Sequence, residues 1–356
     1  MSITLTNKIE ITKATTSKIN SVDFDNLSFG AVFTDHLFEC DFKNGAWQTP
    51  VIKPYAPFSL DPSAKVFHYG QAIFEGMKAY KDEDDAIWLF RPDENFKRFN
   101  SSATRMAMPE VPEEIFIGGL NELLKIDAKW VQKGNGSSMY IRPFMIATGA
   151  GVVANPSDEY KFMIILSPAQ AYYAGEVKVV IAEHYSRAAN GGIGAAKAAG
   201  NYAGQFYPTT LANKDGFQQI IWTDDATHTK LEEAGTMNVF FRINDTLLTA
   251  PTSERILDGI TRKSLLAMAE KEGIKTEVRS VLASELVEAA KNDSLKEIFG
   301  AGTAAVISPI KGFSYKDEYY EMTKPADSYA ELLKEKLTSL QNKLSEDTFG
   351  WTVKVE

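Results

Sequence analysis

The sequence predicts an α+β fold in two domains, and three observations carry that expectation. The chain has 356 residues, more than a single hydrophobic core ordinarily organises. Short β-patterned runs and helical patterns interleave without the regular strand–helix–strand rhythm of a doubly wound sheet. A loop-like stretch near residues 168–178, with Pro168 and Gly175, separates two apolar runs and marks a boundary. The expected division is residues 1–170, a connecting loop at 171–178, and residues 179–356.

The elements follow in chain order. The run Ile87, Trp88, Leu89, Phe90 reads as a strand, and helical patterns follow over residues 95–106 and 112–133. After a polar turn at 155–160, residues 162–166 form a continuous apolar run, as does 177–181 beyond the boundary loop; both read as buried strands. Residues 219–222 are a further strand. The stretch 237–249 reads as a strand pair, with Asn244 and Asp245 supplying a hairpin turn. Helices are expected at 261–272 and 326–344. In the last, Leu333, Leu337, Leu340 and Leu344 recur at helical spacing, the mark of a packing stripe rather than of a site.

Composition narrows the function. Hydrophobic residues make up 44% and charged residues 24%, which excludes wholesale disorder. Lys and Arg (38) against Asp and Glu (47) leave a net charge of −9, opposite to the cationic face that a nucleic-acid binder needs. A local pocket for one small anion stays open. A single cysteine, Cys40, permits no intrachain disulfide and no thiolate cluster, and four scattered histidines show no metal-ligand spacing. The amino-terminal residues lack an apolar signal core, and no run is long enough to span a bilayer. These features lead us to expect a cytoplasmic protein with neither a metal, a nucleic-acid partner nor a membrane partner.

The most unusual stretch is 191–205, where ten of fifteen residues are Gly or Ala around Lys197. Small neighbours let a ligand or backbone approach closely. If methyl groups and backbone enclose that lysine, little solvates its ammonium, which favours the neutral, nucleophilic amine. A flexible surface loop with a solvated lysine accounts for the same composition equally well. The spacing fits neither a Walker loop, since Lys197 is followed by alanine, nor a Gly-x-Gly-x-x-Gly turn.

Two other segments bear on the choice. Gly259, Ile260 and Thr261 stand where an amphipathic helix begins, so their amides can receive phosphate or carboxylate. Residues 299–305 form a second turn of small residues with a hydroxyl, the composition of an anion-cradling nest. Each taken singly is more readily ordinary capping or turn chemistry. Together with an enclosed lysine they fit pyridoxal phosphate, which needs an amine, an anion cradle and a partner at its ring nitrogen. Glu232 and Glu233, at the start of an apolar strand, offer the carboxylate; a solvated turn is the plainer fate of such a pair.

At this point the residues carry a family resemblance. FGAVFTDH at 29–36, FHYGQAIFEGMKAY at 67–80, FRPDEN at 90–95, YIRP at 140–143, KAAGNY at 197–202, EAGTMN at 233–238, GITR at 259–262 and GAGTA at 300–304 occur in order. Together they resemble the branched-chain amino-acid aminotransferases of the pyridoxal-phosphate fold-type-IV group. The resemblance implies a homodimer with the cofactor at the domain interface and a pseudo-barrel of strands in the second domain. It implies that Lys197 holds the cofactor and shuttles the substrate proton. Glu233 would meet the ring nitrogen and Tyr202 the ring hydroxyl, while Arg98, the Ile260 and Thr261 amides and Thr303 would hold the phosphate. Tyr69 and the amides of Thr236 and Ala304 would receive the substrate α-carboxylate, with Arg142 near Tyr69 for the side-chain carboxylate of glutamate. Phe29, Phe74, Tyr140, Val152, Tyr172 and Tyr202 would surround the aliphatic side chain, although aromatic residues in strands are also plain core.

The implied activity moves the amino group of L-leucine, L-isoleucine or L-valine to 2-oxoglutarate. Pockets discriminate weakly between such side chains, since a methylene changes binding by only about 1–3 kcal/mol. A D-amino-acid or amine transaminase, a lyase of the same fold, and a binding protein that kept the fold without chemistry are the rivals. The set Tyr69, Arg142 and Thr236 favours the branched-chain group, and the intact Lys197 and Glu233 argue against a pure binder. The stretch after the Gly-Thr turn, Ala305 to Ser308, lacks the Cys-x-x-Cys pair of some eukaryotic members.

Overall fold

The computed structural model describes residues 8–134, 136–170 and 177–356, so Tyr172 and most of the boundary loop lie outside the described residues. Two units form. One takes the first part of the chain together with Ala196–Gly200 and Ser339–Glu356; the other takes Asn201–Thr338 and the stretch leading up to Ala195.

The first unit is built on a sheet whose longest ladder joins Ser138–Ala147 to Tyr160–Ala169, antiparallel from Ser138 opposite Ala169 to Ala147 opposite Tyr160. One face of this pair is buried through Phe162, Ile164, Leu166, Met139, Ile141 and Met145, while Arg142, Phe144, Ile146 and Ile165 on the opposite face are half-buried. His36–Lys43 and Val51–Pro54 extend the sheet on one side, and Met77–Lys81, Ile87–Phe90 and Thr352–Lys354 on the other. Ala72–Phe74 pairs separately with Ser138–Ala147, opposite Phe144 to Ile146.

Helix Pro92–Arg105 begins at a proline, after Arg91 in the left-handed region (φ 49°), and carries Asp93 and Glu94 in its first turn. Its apolar stripe buries Phe99 and Ala103. Phe99 meets Phe116 and Phe162 at ring-centroid distances of 5.3 and 5.4 Å. Each such fully buried aromatic contributes about 1.5–3 kcal/mol.

The single helix expected over 112–133 is three pieces: a π-turn at Glu114–Gly118, an α-helix at Gly119–Ile126 and a 3-10 turn at Ala128–Trp130. The break after Ile126 frees Asp127 to accept His36 Nδ1–H at 2.7 Å and the His36 amide at 3.1 Å. Gly119 is required where the helix crosses the sheet, since a Cβ there would lie 2.4 Å from the Phe38 ring.

In the second unit six strands close a circuit. Val177–Ile181 lies between Val306–Tyr315 and Gln219–Thr223, both parallel to it; Lys230–Ala234, Asn238–Ile243 and Leu295–Gly302 complete the ring. The closing pair is Glu233 opposite Asn238. Alternation fills the inside: Val177, Val179 and Ile181 point with Ile221, Leu231, Val239, Phe241, Ile298, Ile310 and Phe313 into one core, while Lys178 is exposed. Helix Tyr329–Gln341 buries Leu333, Leu337 and Leu340, but Leu344, beyond its end, is 70% exposed, so the expected stripe is one residue shorter.

Candidate active site

Lys197 belongs to the short segment that joins the first unit. Its amide donates to Ser102 Oγ at 2.9 Å and its carbonyl accepts from the Phe74 amide at 3.0 Å, which fastens it between helix Pro92–Arg105 and strand Ala72–Phe74. Ala196 and Ala198 on either side are buried, so the small neighbours make room in a packed place rather than in a mobile loop. The ammonium lies 4.9 Å from the centroid of Phe74.

From Phe74 a chain of contacts runs through the predicted pocket residues. The Arg142 guanidinium sits over Phe74 at 4.6 Å and over Tyr140 at 5.3 Å, and donates to Tyr140 Oη at 2.7 Å. Tyr140 in turn meets Phe29 edge-on at 4.8 Å. Gly76 makes this possible, because a Cβ there would stand 2.5 Å from Tyr140 Oη. Arg142 Nε is buried without a hydrogen-bond acceptor, leaving donor capacity for a carboxylate. The result is an amine, aromatic faces and one cation in a single contact chain.

Arg98 is also here, and its partner was not read from the sequence. Its Nε and Nη2 donate to Glu75 Oε1 and Oε2 at 2.7 and 2.8 Å, and Asn95 Nδ2 adds a third donor at 2.7 Å. Glu75 is fully buried. Burial would raise its carboxyl, but Arg98, Lys197 and Asn95 outweigh that and hold it below the usual carboxylate range.

The second unit carries the other set. Glu233 is buried and ion-paired with Arg187; it also accepts from the Leu257 amide at 3.1 Å and from Asn238 Nδ2 at 3.2 Å. That is the surrounding of a carboxylate anion held in one orientation. Arg187 further donates to the carbonyls of Gly194 and Arg255 at 2.8 and 2.5 Å, tying the glycine-rich loop to the same place. Glu232, the second of the pair, is buried against Arg255 at 2.5 Å, so neither glutamate is a solvated turn residue.

Helix Ile260–Lys271 starts at Gly259 with no side chain capping its first amides. A Cβ at Gly259 would lie 1.9 Å from Asn238 Oδ1, so only glycine lets the helix start this close to Glu233's neighbour. An uncapped helix start beside buried Thr261 suits a phosphate. The turn expected over 299–305 is tighter than the sequence suggested: pairing continues through Ala301 with Ile307 and Gly302 with Val306, leaving Thr303, Ala304 and Ala305 as the turn. Gly302 admits the neighbouring turn, since its Cβ would lie 3.2 Å from the Thr236 carbonyl. Thr236 and Thr303 are therefore on adjacent turns. Tyr202 is half-buried in the short helix Ala199–Ala203.

A family model described as amino-transferase class IV matches residues 72–313. The chain belongs to the class IV aminotransferases. It is 43% identical over 339 residues to a probable branched-chain-amino-acid aminotransferase of Staphylococcus epidermidis, covering 94% of each chain. It is 41% identical over 346 residues to branched-chain-amino-acid aminotransferase 2 of Bacillus subtilis, covering 96% of this chain and 95% of that one. A solved branched-chain amino acid aminotransferase from Thermobaculum terrenum, in its PLP form, shares the fold at a TM-score of 0.71 and 19% identity over 90% of this chain and 98% of that one. Fold-type-IV architecture is thereby shown, and class IV aminotransferases are pyridoxal-phosphate enzymes.

Two further residues expected in the aminotransferase's substrate site stand apart from the Lys197 contact chain. Tyr69 Oη donates to the Val152 carbonyl, and the two residues are 42% and 68% exposed. Arg142 makes its contacts with Tyr140 and Phe74. The strand carrying Arg142 aims it at Phe74, whereas the short helix Lys65–Tyr69 turns Tyr69 toward the 149–153 loop. Glu75, Asn95, Ser102, Arg187 and Asn238 are the supporting residues that sequence reasoning missed. Glu75, Asn95 and Asn238 lay inside matched motifs, but nothing in the residue order reveals an ion pair or hydrogen bond between distant segments.

Proposed function

We propose that this class IV aminotransferase is a branched-chain-amino-acid transaminase that works with pyridoxal phosphate. It moves the amino group of L-leucine, L-isoleucine or L-valine to 2-oxoglutarate, giving the branched 2-oxo acid and L-glutamate in two half-reactions. The observation that carries this reading is the contact chain Phe29–Tyr140–Arg142–Phe74–Lys197. One pocket must accept an aliphatic side chain in one half-reaction and a carboxylate-bearing one in the other. Aromatic faces serve the first and the unspent Arg142 donor the second. The names of relatives at about 40% identity over nearly the whole chain support the same reading.

Pyridoxal phosphate, when bound, supplies the electron sink that weakens the substrate Cα–H bond. Lys197 Nζ would be the amine that holds the cofactor and would take the Cα proton and deliver it back. Glu233, fixed by Arg187, Leu257 and Asn238, would meet the ring nitrogen. Tyr202 would meet the ring hydroxyl. Arg98, the Ile260 and Thr261 amides and Thr303 would receive the phosphate. Thr236 and Ala304 amides would orient the substrate carboxylate. The uncapped helix start and the Glu75-braced arginine are the features that fit a phosphate.

A homodimer completes the proposal. Phe67, Tyr69, Val152 and Val153 are 62%, 42%, 68% and 69% exposed on segments laced together by Lys65–Gly149 and Gly151–Ser63 backbone bonds. Such an apolar patch on one chain suits a symmetric contact. Among the described residues no helix is long and apolar enough to cross a membrane; with one buried cysteine, a reducing cytoplasm is the proposed compartment.

The test is a visible spectrum of the purified protein with its cofactor while L-leucine is added, with D-alanine in parallel. Bleaching of the lysine-bound band by L-leucine alone, restored by 2-oxoglutarate, is expected. Bleaching by D-alanine instead moves the protein to a D-amino-acid transaminase. No band after supplying pyridoxal phosphate overturns the catalytic reading.

A further inference from the structure

A cavity of about 430 Å³ lies within the second unit, on residues that no step above uses. Its floor is the Leu295–Gly302 and Val306–Tyr315 strand pair at Ile298, Pro309 and Ile310, and Met322 and Ala330 form its walls. Three lysines, Lys296, Lys311 and Lys324, stand around it.

The cavity is preformed. The Met322 amide donates to the Lys311 carbonyl at 2.6 Å, holding the 322–328 loop against the strand. At the other wall the Tyr329 amide donates to Glu297 Oε2 at 2.8 Å, and Ser328 Oγ to Glu297 Oε1, pinning the start of helix Tyr329–Gln341. Glu297 is thus the one carboxylate on the lining among the described residues, and it is engaged on both oxygens and lies 3.7 Å from Arg242. Two of the lysines have acceptors outside the lining. Lys324 pairs with Glu331 and Lys311 with Glu321 at 3.9 Å, and the carboxylates of these pairs are 58% and 66% exposed. Exposed pairs of this kind are weak and rearrange at little cost. Lys296 donates to the Asp293 carbonyl at 2.7 Å.

An apolar floor, a volume in the range of small-molecule sites and ammonium groups with exchangeable partners define one ligand chemistry. We propose that this cavity is a second binding site, distinct from the catalytic residues, for a monocarboxylate with a compact apolar body of about six to eight carbons. The apolar body covers Pro309, Met322 and Pro325, and the carboxylate draws Lys296 and Lys324 from their present acceptors. Inorganic phosphate or a short dicarboxylate leaves the floor uncovered and is not the class favoured.

Isothermal titration of the protein, purified with its cofactor, with octanoate tests this. Saturable binding near about 1 mM is expected. It weakens about tenfold in Lys296→Ala/Lys324→Ala and is lost in Met322→Trp, which fills the cavity. Aminotransferase activity serves as the folding control and stays within about twofold in both variants. Saturating 2-oxoglutarate leaves the affinity unchanged. Any of four results overturns the proposal: no saturable binding up to about 10 mM, displacement by 2-oxoglutarate, affinity unchanged in Met322→Trp, or loss in Met322→Trp with the lysine variant unchanged.

Discussion

Glu75 is the residue on which the lysine-bearing unit depends most visibly. It is fully buried and braces Arg98 through two bonds and Asn95 through a third. Removing one member of a buried ion pair strands the other, at a cost of about 3–5 kcal/mol. Glu75→Gln is therefore expected to lower unfolding free energy by about 3 kcal/mol in a urea titration and to weaken pyridoxal-phosphate retention on dialysis. A second residue governs acid stability. Burial would raise the Asp224 carboxyl, but the amides of Lys230, Thr227 and Thr229 and the Thr227 hydroxyl bring it down from 3.8 to about 2. The folded value is the lower one, so this stabilisation is present above pH 3.8 and disappears as pH falls to about 2. Asp224→Asn should cost about 1–2 kcal/mol near neutral pH and nothing at the acid end, read from melting temperatures across pH. Lys197 and Glu233 were named from the family motifs that contain them, since residue type and small neighbours alone left a solvated loop and a solvated turn open. Arg187, the ion-pair partner that fixes Glu233, was not, because residue order does not record which distant side chains meet.

At the scale of elements, the patterns that depend on local periodicity were legible. The strands at 162–166, 177–181 and 219–222, the hairpin at Asn244–Asp245 and the helix beginning near Thr261 all appear where apolar runs, turn chemistry and helical spacing place them. What local pattern did not show was where one element yields to another. The helical pattern over 112–133 is interrupted after Ile126, and the Asp127 carboxylate at the break accepts from His36, far away in sequence. Residues 299–302 stay in a strand because Val306 to Pro309 pair with them. The helix start at Gly259 carries its own prediction. A methyl group there meets Asn238 Oδ1 at 1.9 Å, and Asn238 is hydrogen-bonded to both Glu233 and the Leu257 carbonyl. Gly259→Ala must push the helix start or Asn238 aside, at about 1–3 kcal/mol. It should reduce phosphate-dependent cofactor affinity more than it reduces melting temperature, as fluorescence titration of the apoprotein with pyridoxal phosphate would show.

For the molecule as a whole, the chain does not follow the simple division into halves that its order suggests. The last residues return to the first unit, where Thr352–Lys354 pairs antiparallel with Ile87–Phe90. Trp351 is the centre of this return. Its carbonyl accepts from the Arg91 amide at 2.7 Å, the Arg91 guanidinium lies 4.8 Å over its ring, and Phe90 and Phe349 pack on it at 5.8 and 4.1 Å. Arg91 is the left-handed residue immediately before helix Pro92–Arg105, and that helix carries Arg98 and Ser102, which supports Lys197. The carboxyl-terminal strand thus fixes the start of the helix whose Ser102 holds the Lys197 amide. Deleting residues 345–356 would uncover the Ile87–Phe90 edge and release Arg91 from its strained conformation, so soluble yield should fall as exposed edges associate. Trp351→Ala is the milder test. It should cost about 1–3 kcal/mol in a urea titration, below the value for a fully buried tryptophan because Trp351 is half-buried. The same variant should lower turnover with L-leucine severalfold even where the protein is fully folded. Unchanged turnover at unchanged cofactor occupancy would mean that helix Pro92–Arg105 holds Lys197 without help from the carboxyl terminus.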